Sequence, residues 1–425
     1  MAKPPPHRAP ARPPARAAPA ARPAAPAPAV RAGPGTLVVN GYSERWLRQG
    51  FPWVYPTEVV AGAAAAGEIV QLRSVGGDEL GAAIADDGWI RARRFRSDAG
   101  KIDAALISGR LRGALALRRS LGLGTTTTCF RWVNGENDDL PGVRLDVWAD
   151  HVVISLDSPS LTRLLPALVE GIREVFPAVG SIHVGWRPDV RDGRVWPNPP
   201  GRIEGQAPGT VVVAEGGVRY RVEPAAKKDV GLFPDQRDNR TWLAPYYVGT
   251  RVLNLFCYTG AFSVHASVNG ASEVVSVDLS RLYLDQLDEN LALNVPLARH
   301  ERIEEDALKV LDRFRRQGRV FDRIILDPPG HSHSGEGDWS GEQDYARLVA
   351  AAARVCAPGG WLIASSNLGS VSPRQFQGAL VDGLRKANCQ GRVIHTGGQA
   401  ADFPSALHFP EGTFLKFVVI EVQHA

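Results

Sequence analysis

The segment ILDPPGHSHSGEGDW, residues 325–339, places an aspartate at the end of an apolar run. Asp327 is followed by Pro328 and Pro329, and then by a loop rich in Gly, Ser and His. Each proline fixes φ and lacks an N–H donor, so the backbone after the carboxylate is stiff. We interpret Asp327 as a carboxylate held at a strand end, either to accept hydrogen bonds from a ligand or to fix the loop.

Three more residues follow predicted strands in the same half of the chain. Gly260 lies in the turn NLFCYTGAF, Asp278 ends EVVSVD, and Asp306 ends the next element at EED. In an open α/β sheet, ligands bind beyond the carboxyl ends of the strands, and a carboxylate about 20 residues after the first turn binds ribose hydroxyls. A simple turn glycine and helix N-caps are the alternatives for each residue taken alone. Together they predict a nucleoside site.

The first turn distinguishes between nucleoside cofactors. NLFCYTGAF has one glycine and is not a GxGxxG fingerprint, which argues against NAD or FAD. S-adenosylmethionine (SAM) has no phosphates and needs less close approach of the backbone. The pattern therefore favours a SAM site that includes Gly260, Asp278, Asp306 and Asp327.

Strands and helices alternate after Pro224, which predicts a doubly wound, mostly parallel sheet. The predicted strands are RVLNLF, EVVSVD, RIILD, GWLIASS, RVIHTG and FLKFVVIEV. The fold class is thus α/β, with a Rossmann-like domain over residues 225–425. We expect a small β-rich module over residues 36–107 and a central α+β domain over residues 108–224. Residues 1–35, almost entirely Pro, Ala and Arg, are predicted to be a disordered basic tail.

Composition limits the class of protein. No run of eighteen apolar residues is present, so we expect no membrane span. The four cysteines have no zinc-site or disulfide spacing, which predicts no metal and favours a cytoplasmic protein. Outside the tail, 43 basic residues face 45 acidic ones, so attraction to a polyanion must come from local patches and from the tail.

Several long motifs resemble the large-subunit ribosomal RNA methyltransferase family of class I SAM enzymes. They are KKDVGLFPDQRDNR, RVLNLFCYTGAFSVHA, EVVSVDLS, FDRIILDPP and GQAADFPSALHFPEGTFLKF. The best-known branch of this family makes 5-methylcytosine and carries an N-terminal PUA module, which FPWVY resembles. The resemblance covers nearly everything after residue 35. It implies SAM as cofactor, a seven-stranded sheet, and large-subunit ribosomal RNA as partner.

The resemblance also implies roles for individual residues. Phe256, Tyr258 and Gly260 flank the methionine part of SAM, Asp278 holds the ribose, Asp306 the adenine amino group, and Asp327 lies where the methyl group is presented. Phe233, Asp235, Gln236 and Arg237 cover the cofactor or position the RNA. Arg93 and Arg94, within the basic stretch WIRARRFRSDAGK, would grip an RNA backbone in the PUA-like module, with a solvated charged face as the alternative.

One family feature is absent. The 5-methylcytosine branch carries a nucleophilic cysteine just past the strand that here reads ASSNLGS, where Ser365, Ser366 and Asn367 occur. A serine hydroxyl without an adjacent base is a poor substitute for a thiolate. The segment DPPGHSHS resembles instead that of related 7-methylguanine-forming enzymes, with His331 in place of an aromatic residue that stacks on the base. Methylation of a ring nitrogen needs positioning rather than covalent catalysis.

We therefore predict methyl transfer from SAM to a base of ribosomal RNA, at a ring nitrogen such as guanine N7. Asp327, Pro328, Pro329, His331 and Ser366 are the expected catalytic loop residues. A cytosine-C5 enzyme, a methyltransferase for protein or small molecules, and a non-catalytic RNA-binding protein are the alternatives. The sequence is also compatible with a homo-oligomer.

Overall fold

The structure, a computed structural model, describes residues 32–185, 201–206, 209–226, 230–296, 298–334, 337–340 and 344–424, with backbone only at residue 202 and over 331–340. The chain forms two compact units. The first runs to Ile102 and also includes Leu407–Glu411, whereas the second runs from Asp103 to Ala406 and resumes at Gly412. Residues 1–31 of the predicted tail lie outside the described residues.

The first unit is a small β-rich module. Its elements are β1 (Thr36–Val39), α1 (Gly41–Arg48), β2 (Trp53–Val54), β3 (Val59–Ala61), β4 (Ile69–Ser74), β5 (Glu79–Ala85) and β6 (Ala92–Arg94). The strands form one sheet in the order β2-β6-β5-β4-β1-β3. Alternating apolar residues such as Leu37, Val39 and Leu72 point to one side, where they form the core with Leu47 of α1. The PUA-like prediction for this module is confirmed.

The second unit begins with a mixed α+β region. It contains α2 (Ala104–Ser120), β7 (Cys129–Asn134), β8 (Val143–Trp148), β9 (His151–Leu156), α3 (Leu165–Val175), β10 (Ser181–Val184), β11 (Arg202–Glu204), β12 (Val211–Glu215) and β13 (Val218–Val222). Strands β11-β10-β9-β8-β7 form a five-stranded sheet, and β12 pairs with β13. Asp103 begins α2 by accepting a hydrogen bond from the N–H of Leu106.

The rest of the second unit is the Rossmann-like domain. Its helices are α4 (Arg237–Leu243), α5 (Ala261–Val268), α6 (Arg281–Ala292), α7 (Ala307–Gln317), α8 (Tyr345–Ala353) and α9 (Pro373–Lys386). Its strands are β14 (Arg251–Leu255), β15 (Glu273–Asp278), β16 (Arg299–Glu304), β17 (Phe321–Leu326), β18 (His331–Ser334), β19 (Gly337–Ser340), β20 (Cys356–Ser366), β21 (Cys389–Gly397) and β22 (Lys416–His424).

Seven of these strands form one sheet in the order β16-β15-β14-β17-β20-β22-β21. Strands β14, β15, β16, β17 and β20 run parallel, and β22 is antiparallel to both of its neighbours. Apolar side chains of β14, β15 and β17 pack against helices on both faces, as expected for parallel strands. The predicted Rossmann-like, mostly parallel, seven-stranded sheet is confirmed. Where the sequence predicted a loop after Asp327, β18 and β19 form a hairpin.

Candidate cofactor and methyl-transfer site

The turn between β14 and α5 is held in an unusual backbone conformation. Phe256, Tyr258 and Gly260 have φ values of 57°, 52° and 79°. For residues with a side chain, this left-handed region costs of the order of 1–3 kcal/mol and persists only when the surroundings enforce it. A Cβ on Gly260 would lie 2.0 Å from Cδ1 of Leu287 on α6, so α6 packs directly on the turn. The backbone of this turn is therefore held in a fixed conformation at the end of β14, where a ligand can approach it closely.

Asp278 fixes this turn from the end of the neighbouring strand. Its Oδ2 accepts a 2.9 Å hydrogen bond from the N–H of Tyr258, and its Oδ1 accepts one of 2.9 Å from the N–H of Ser280. Burial raises the pKa of the Asp278 carboxyl, although both backbone donors act in the opposite direction. Each carboxylate oxygen has a second lone pair. The side chain thus has the capacity to accept ribose hydroxyls while it holds the turn.

Asp306 follows β16 and is the N-cap of α7. Its Oδ1 accepts hydrogen bonds from the N–H groups of Leu308 and Lys309, at 3.0 and 3.1 Å. This contact gives Asp306 a structural role at the helix start. Because β16 lies beside β15, Asp306 is at the same edge of the sheet as Asp278, where we expect the nucleoside to bind.

The strand order sets the sequence of these groups in space. Because β16, β15, β14 and β17 are neighbours, Asp306, Asp278, the Gly260 turn and Asp327 follow one another along the same edge. Leu255 pairs with Leu326, so the turn and Asp327 begin at the same level. Carboxylates at β15 and β16, a close-packed glycine turn and a further carboxylate at β17 fit a SAM molecule that lies across the four strand ends.

Asp327 is bound by side chains from two other segments. The hydroxyl of Ser365, on β20, donates to Oδ1, and the Nε2 of Gln236 lies 3.4 Å from Oδ2. The Oε1 of Gln236 accepts a 2.7 Å hydrogen bond from Nδ2 of Asn239, which fixes the amide orientation. Burial raises the pKa of Asp327. The carboxylate is thus firmly oriented at the strand end.

The serine that contacts Asp327 is Ser365 rather than Ser366. Ser366 is buried, and its hydroxyl accepts a 3.4 Å hydrogen bond from the N–H of Leu368. Leu326 pairs with Ala364 on β20, so Ser365 is level with Asp327 and shares its face of the sheet, whereas the side chain of Ser366 points to the opposite face. Of the other predicted loop residues, Pro328 is buried and Pro329 is exposed. The side chain of His331 lies outside the described residues.

A second carboxylate lies close to Asp327. Asp235 immediately precedes Gln236, and its Oδ1 is buried without a hydrogen-bond partner within the described residues. Burial, and after it the negative charge of Asp327, raise the pKa of Asp235 from 3.8 to about 6. The backbone of Asp235 is anchored, since its carbonyl accepts a 2.8 Å hydrogen bond from the N–H of Ala400. The site therefore contains two neighbouring acids.

The other predicted substrate contacts near this segment differ in exposure. Arg237 is buried and makes a two-pronged ion pair with Asp402, which itself is fully buried. It therefore stabilises the fold here and is not presented to RNA, contrary to our expectation. Phe233 is 52% exposed, and its ring centroid lies 5.1 Å from that of Tyr258. Gln236 is buried under Asp327, so only Phe233 of the three is placed to contact a substrate.

The two predicted RNA contacts in the first unit, Arg93 and Arg94, differ in exposure to solvent. Arg93 is 4% exposed and forms an ion pair with the buried Asp86, so the expectation that it grips RNA is wrong. It sits on β6 between β2 and β5, with its guanidinium inside the module. Arg94 is half-buried and points its Nη1 to the carbonyl of Leu80 at 3.3 Å.

The four cysteines are all buried and free of disulfides. Burial raises the pKa of Cys129, Cys257, Cys356 and Cys389, which disfavours the nucleophilic thiolate. Cys257 lies in the cofactor turn, where its Sγ is 3.6 Å from the carbonyl oxygen of Tyr258. No group of three or more His, Cys, Asp or Glu side chains suited to a metal occurs among the described residues. No helix in that part of the chain is long and apolar enough to cross a membrane.

The fold and this site define a Rossmann-like SAM-dependent methyltransferase. In agreement, the family described as S-adenosylmethionine-dependent methyltransferase matches residues 191–393, and a PUA-like domain matches residues 37–96. Two solved chains, each 24% identical, cover 91% of this chain and 99% of their own length. They are a methyltransferase complexed with SAH (TM-score 0.82) and a SAM-dependent methyltransferase from Streptococcus mutans (TM-score 0.79).

Curated relatives define the family more narrowly. Ribosomal RNA large subunit methyltransferase I of Aeromonas hydrophila is 32% identical over 393 residues, which is 91% of this chain and 98% of the relative. The protein of the same name from Photobacterium profundum is 31% identical over 88% of this chain and 96% of its own. The chain belongs to the ribosomal RNA large subunit methyltransferase I family.

Proposed function

We propose that this protein transfers a methyl group from SAM to a ring nitrogen, such as guanine N7, of a base in large-subunit ribosomal RNA. The names of the relatives support ribosomal RNA as the substrate. The PUA-like first unit supports a second contact to the RNA, which includes Arg94 but not Arg93. A ribosomal RNA substrate in turn supports a cytoplasmic location, and a homo-oligomer remains compatible with the proposal.

The observation that carries the choice of atom is the Ser365–Asp327 contact at the end of β17 and β20. Attack on C6 of cytosine needs a thiolate next to the base. In this chain the segment that corresponds to that of the nucleophilic cysteine carries Ser365 and Ser366, and burial raises the pKa of each of the four thiols. A ring nitrogen carries its own lone pair, so the protein needs only to align and desolvate the base.

The charges of the site favour the same chemistry. SAM, when bound, supplies a methyl group on a positively charged sulfur. Methylation of guanine N7 leaves a positive charge on the base, because no proton is lost there. A fixed carboxylate at Asp327 stabilises positive charge without reorganisation during the reaction. Ser365 and Gln236 keep that carboxylate in place.

An RNA trap tests this proposal. Ribosomal RNA containing 5-fluorocytosine captures a thiolate enzyme covalently, since fluorine at C5 cannot leave as a cation after methyl transfer. We expect no denaturation-resistant complex, and we expect methyl transfer to persist when each cysteine is changed singly to serine. An adduct that disappears with one such change, for example Cys257→Ser, would favour the cytosine-C5 alternative instead.

A further inference from the structure

Within the part of the chain that the structure describes, neither Asp235 nor Asp327 forms an ion pair with a cation. Oδ1 of Asp235 is a buried acceptor without a partner in the described part of the chain. Among the described residues, the polar partners of Asp327 are Ser365 and Gln236, and both are neutral. A buried carboxylate normally pairs with a cation or a full set of donors, because the loss of hydration is otherwise uncompensated.

The nearest arginines are engaged by other acids. Arg240 binds Glu215 through contacts of 2.7–3.0 Å, and Arg237 binds Asp402. Arg131, which also acts on Asp235, pairs with Asp146 at 2.6 Å. Each of these arginines is thus engaged by another carboxylate, and Arg237 also contacts Asp238 at 3.3 Å. The negative charges of Asp235 and Asp327 are left as a local excess.

The position of these two negative charges in the fold indicates which part of a bound ligand lies next to them. Asp278 ends β15 and Asp306 follows β16, and both strands lie on the far side of β14 from Asp327. Two strand spacings, roughly 10 Å, separate the ends of β15 and β17. If Asp278 accepts the ribose hydroxyls, the β17 end is left for the part of the ligand beyond the ribose. In SAM that part contains the sulfonium and the α-ammonium group.

We propose that Asp235 and Asp327 form an anionic pair that selects the cationic sulfonium of SAM over the neutral thioether of SAH. Both ligands have the same nucleoside and amino-acid groups and differ at sulfur by one methyl group and one positive charge. The pair therefore strengthens binding before methyl transfer and loses that advantage afterwards, when the positive charge has moved with the methyl group to the acceptor. Asp235 acts here as a specificity residue and binds charge, whereas Asp278 binds both ligands equally.

Calorimetric titration of the full chain with SAM and with SAH, at pH 7.5, tests the proposal without RNA or catalysis. Asp235→Asn keeps the shape and removes the charge. We expect it to weaken SAM binding about tenfold, the size of a screened charge contact at short range, and to change SAH binding by less than about twofold. Asp382→Asn, which removes an exposed carboxylate from α9, serves as the control and should change neither affinity.

The pH dependence gives a second readout. The pKa of Asp235 is about 6, set by burial and Asp327, with Arg240, Arg131 and Asp402 as the other charged groups that act on it. Protonation makes Asp235 neutral. SAM affinity should therefore fall between pH 7.5 and pH 5.5 more than SAH affinity, and this difference should vanish in Asp235→Asn. Equal weakening of SAM and SAH in the folded variant, or unchanged SAM affinity, would overturn the proposal.

Discussion

Replacing Asp235 with asparagine should stabilise the folded protein at pH 7.5. Burial and the neighbouring Asp327 raise the pKa of Asp235 from 3.8 to about 6. Since one pKa unit corresponds to about 1.4 kcal/mol, the ionised side chain costs at most roughly 3 kcal/mol of folding free energy. Partial exposure to solvent reduces this cost, so we expect a gain of about 1–3 kcal/mol. Asparagine cannot ionise, and its amide is able to donate to Asp327.

The expected gain depends on pH in a defined direction. Below about pH 4 the carboxyl is protonated in both the folded and the unfolded chain, so the cost is absent. It grows as pH rises from about 4 to 6, where only the unfolded chain has lost the proton, and it is complete above that range. Urea denaturation at pH 7.5 and at pH 4.5 should therefore show a large and a small difference between variant and wild type.

The matched control for this measurement is Asp382→Asn on α9. Its carboxylate is exposed and pairs with the exposed Arg385 three residues later, so its removal should leave stability within about 0.5 kcal/mol at both pH values. An Asp235→Asn protein that is less stable than wild type at pH 7.5, or one whose stability difference is the same at both pH values, would refute the argument that Asp235 is an uncompensated charge.

Three further substitutions test other parts of the structure. Gly260→Ala should abolish SAM binding in calorimetry, because the new Cβ would lie 2.0 Å from Leu287 and the φ of residue 260 is 79°. Retained affinity would mean that α6 shifts to accommodate the added methyl group. Asp278→Ala should weaken both SAM and SAH by roughly 2 kcal/mol, the value of hydrogen bonds to a charged group, and unchanged affinity would remove the ribose assignment. Arg93→Ala should lower the unfolding free energy of the first unit by about 3–5 kcal/mol in thermal or urea melts, since it leaves Asp86 buried without its cation. A fully stable Arg93→Ala protein would contradict the buried ion pair.

The strand ends of the Rossmann-like domain could be predicted from the sequence because local patterns determine them. Apolar runs that stop at Asp278 and Asp327 mark parallel strands, and the sheet order then brings their ends to one edge. The single glycine of the first turn, Gly260, also allowed the position of the cofactor turn to be predicted. Gly260 has a φ of 79° and lies where a Cβ would clash with Leu287 of α6.

Contacts that depend on register or on distant segments could not be predicted. Arg237 pairs with Asp402, which is 165 residues away, and no local pattern connects them. The choice between Ser365 and Ser366 depends on the register of β20 against β17, which decides which serine shares a sheet face with Asp327. The prediction for Arg93 was wrong for a related reason. A run of basic residues is typical of an exposed surface, but β6 is an inner strand of its sheet, and Arg93 forms a buried ion pair with Asp86. A signal for that pair is the isolated DD at residues 86–87 shortly before the arginines.

The product nucleoside is the most direct test of the account as a whole. Large-subunit ribosomal RNA lacking the modification would be incubated with the protein and with SAM carrying an isotopically labelled methyl group, then digested to nucleosides and analysed by mass spectrometry against standards. Asp327→Asn would serve as the variant with impaired transfer. We predict that the label appears in a base methylated at a ring nitrogen, with 7-methylguanosine as the first candidate. Label in 5-methylcytidine would contradict the account.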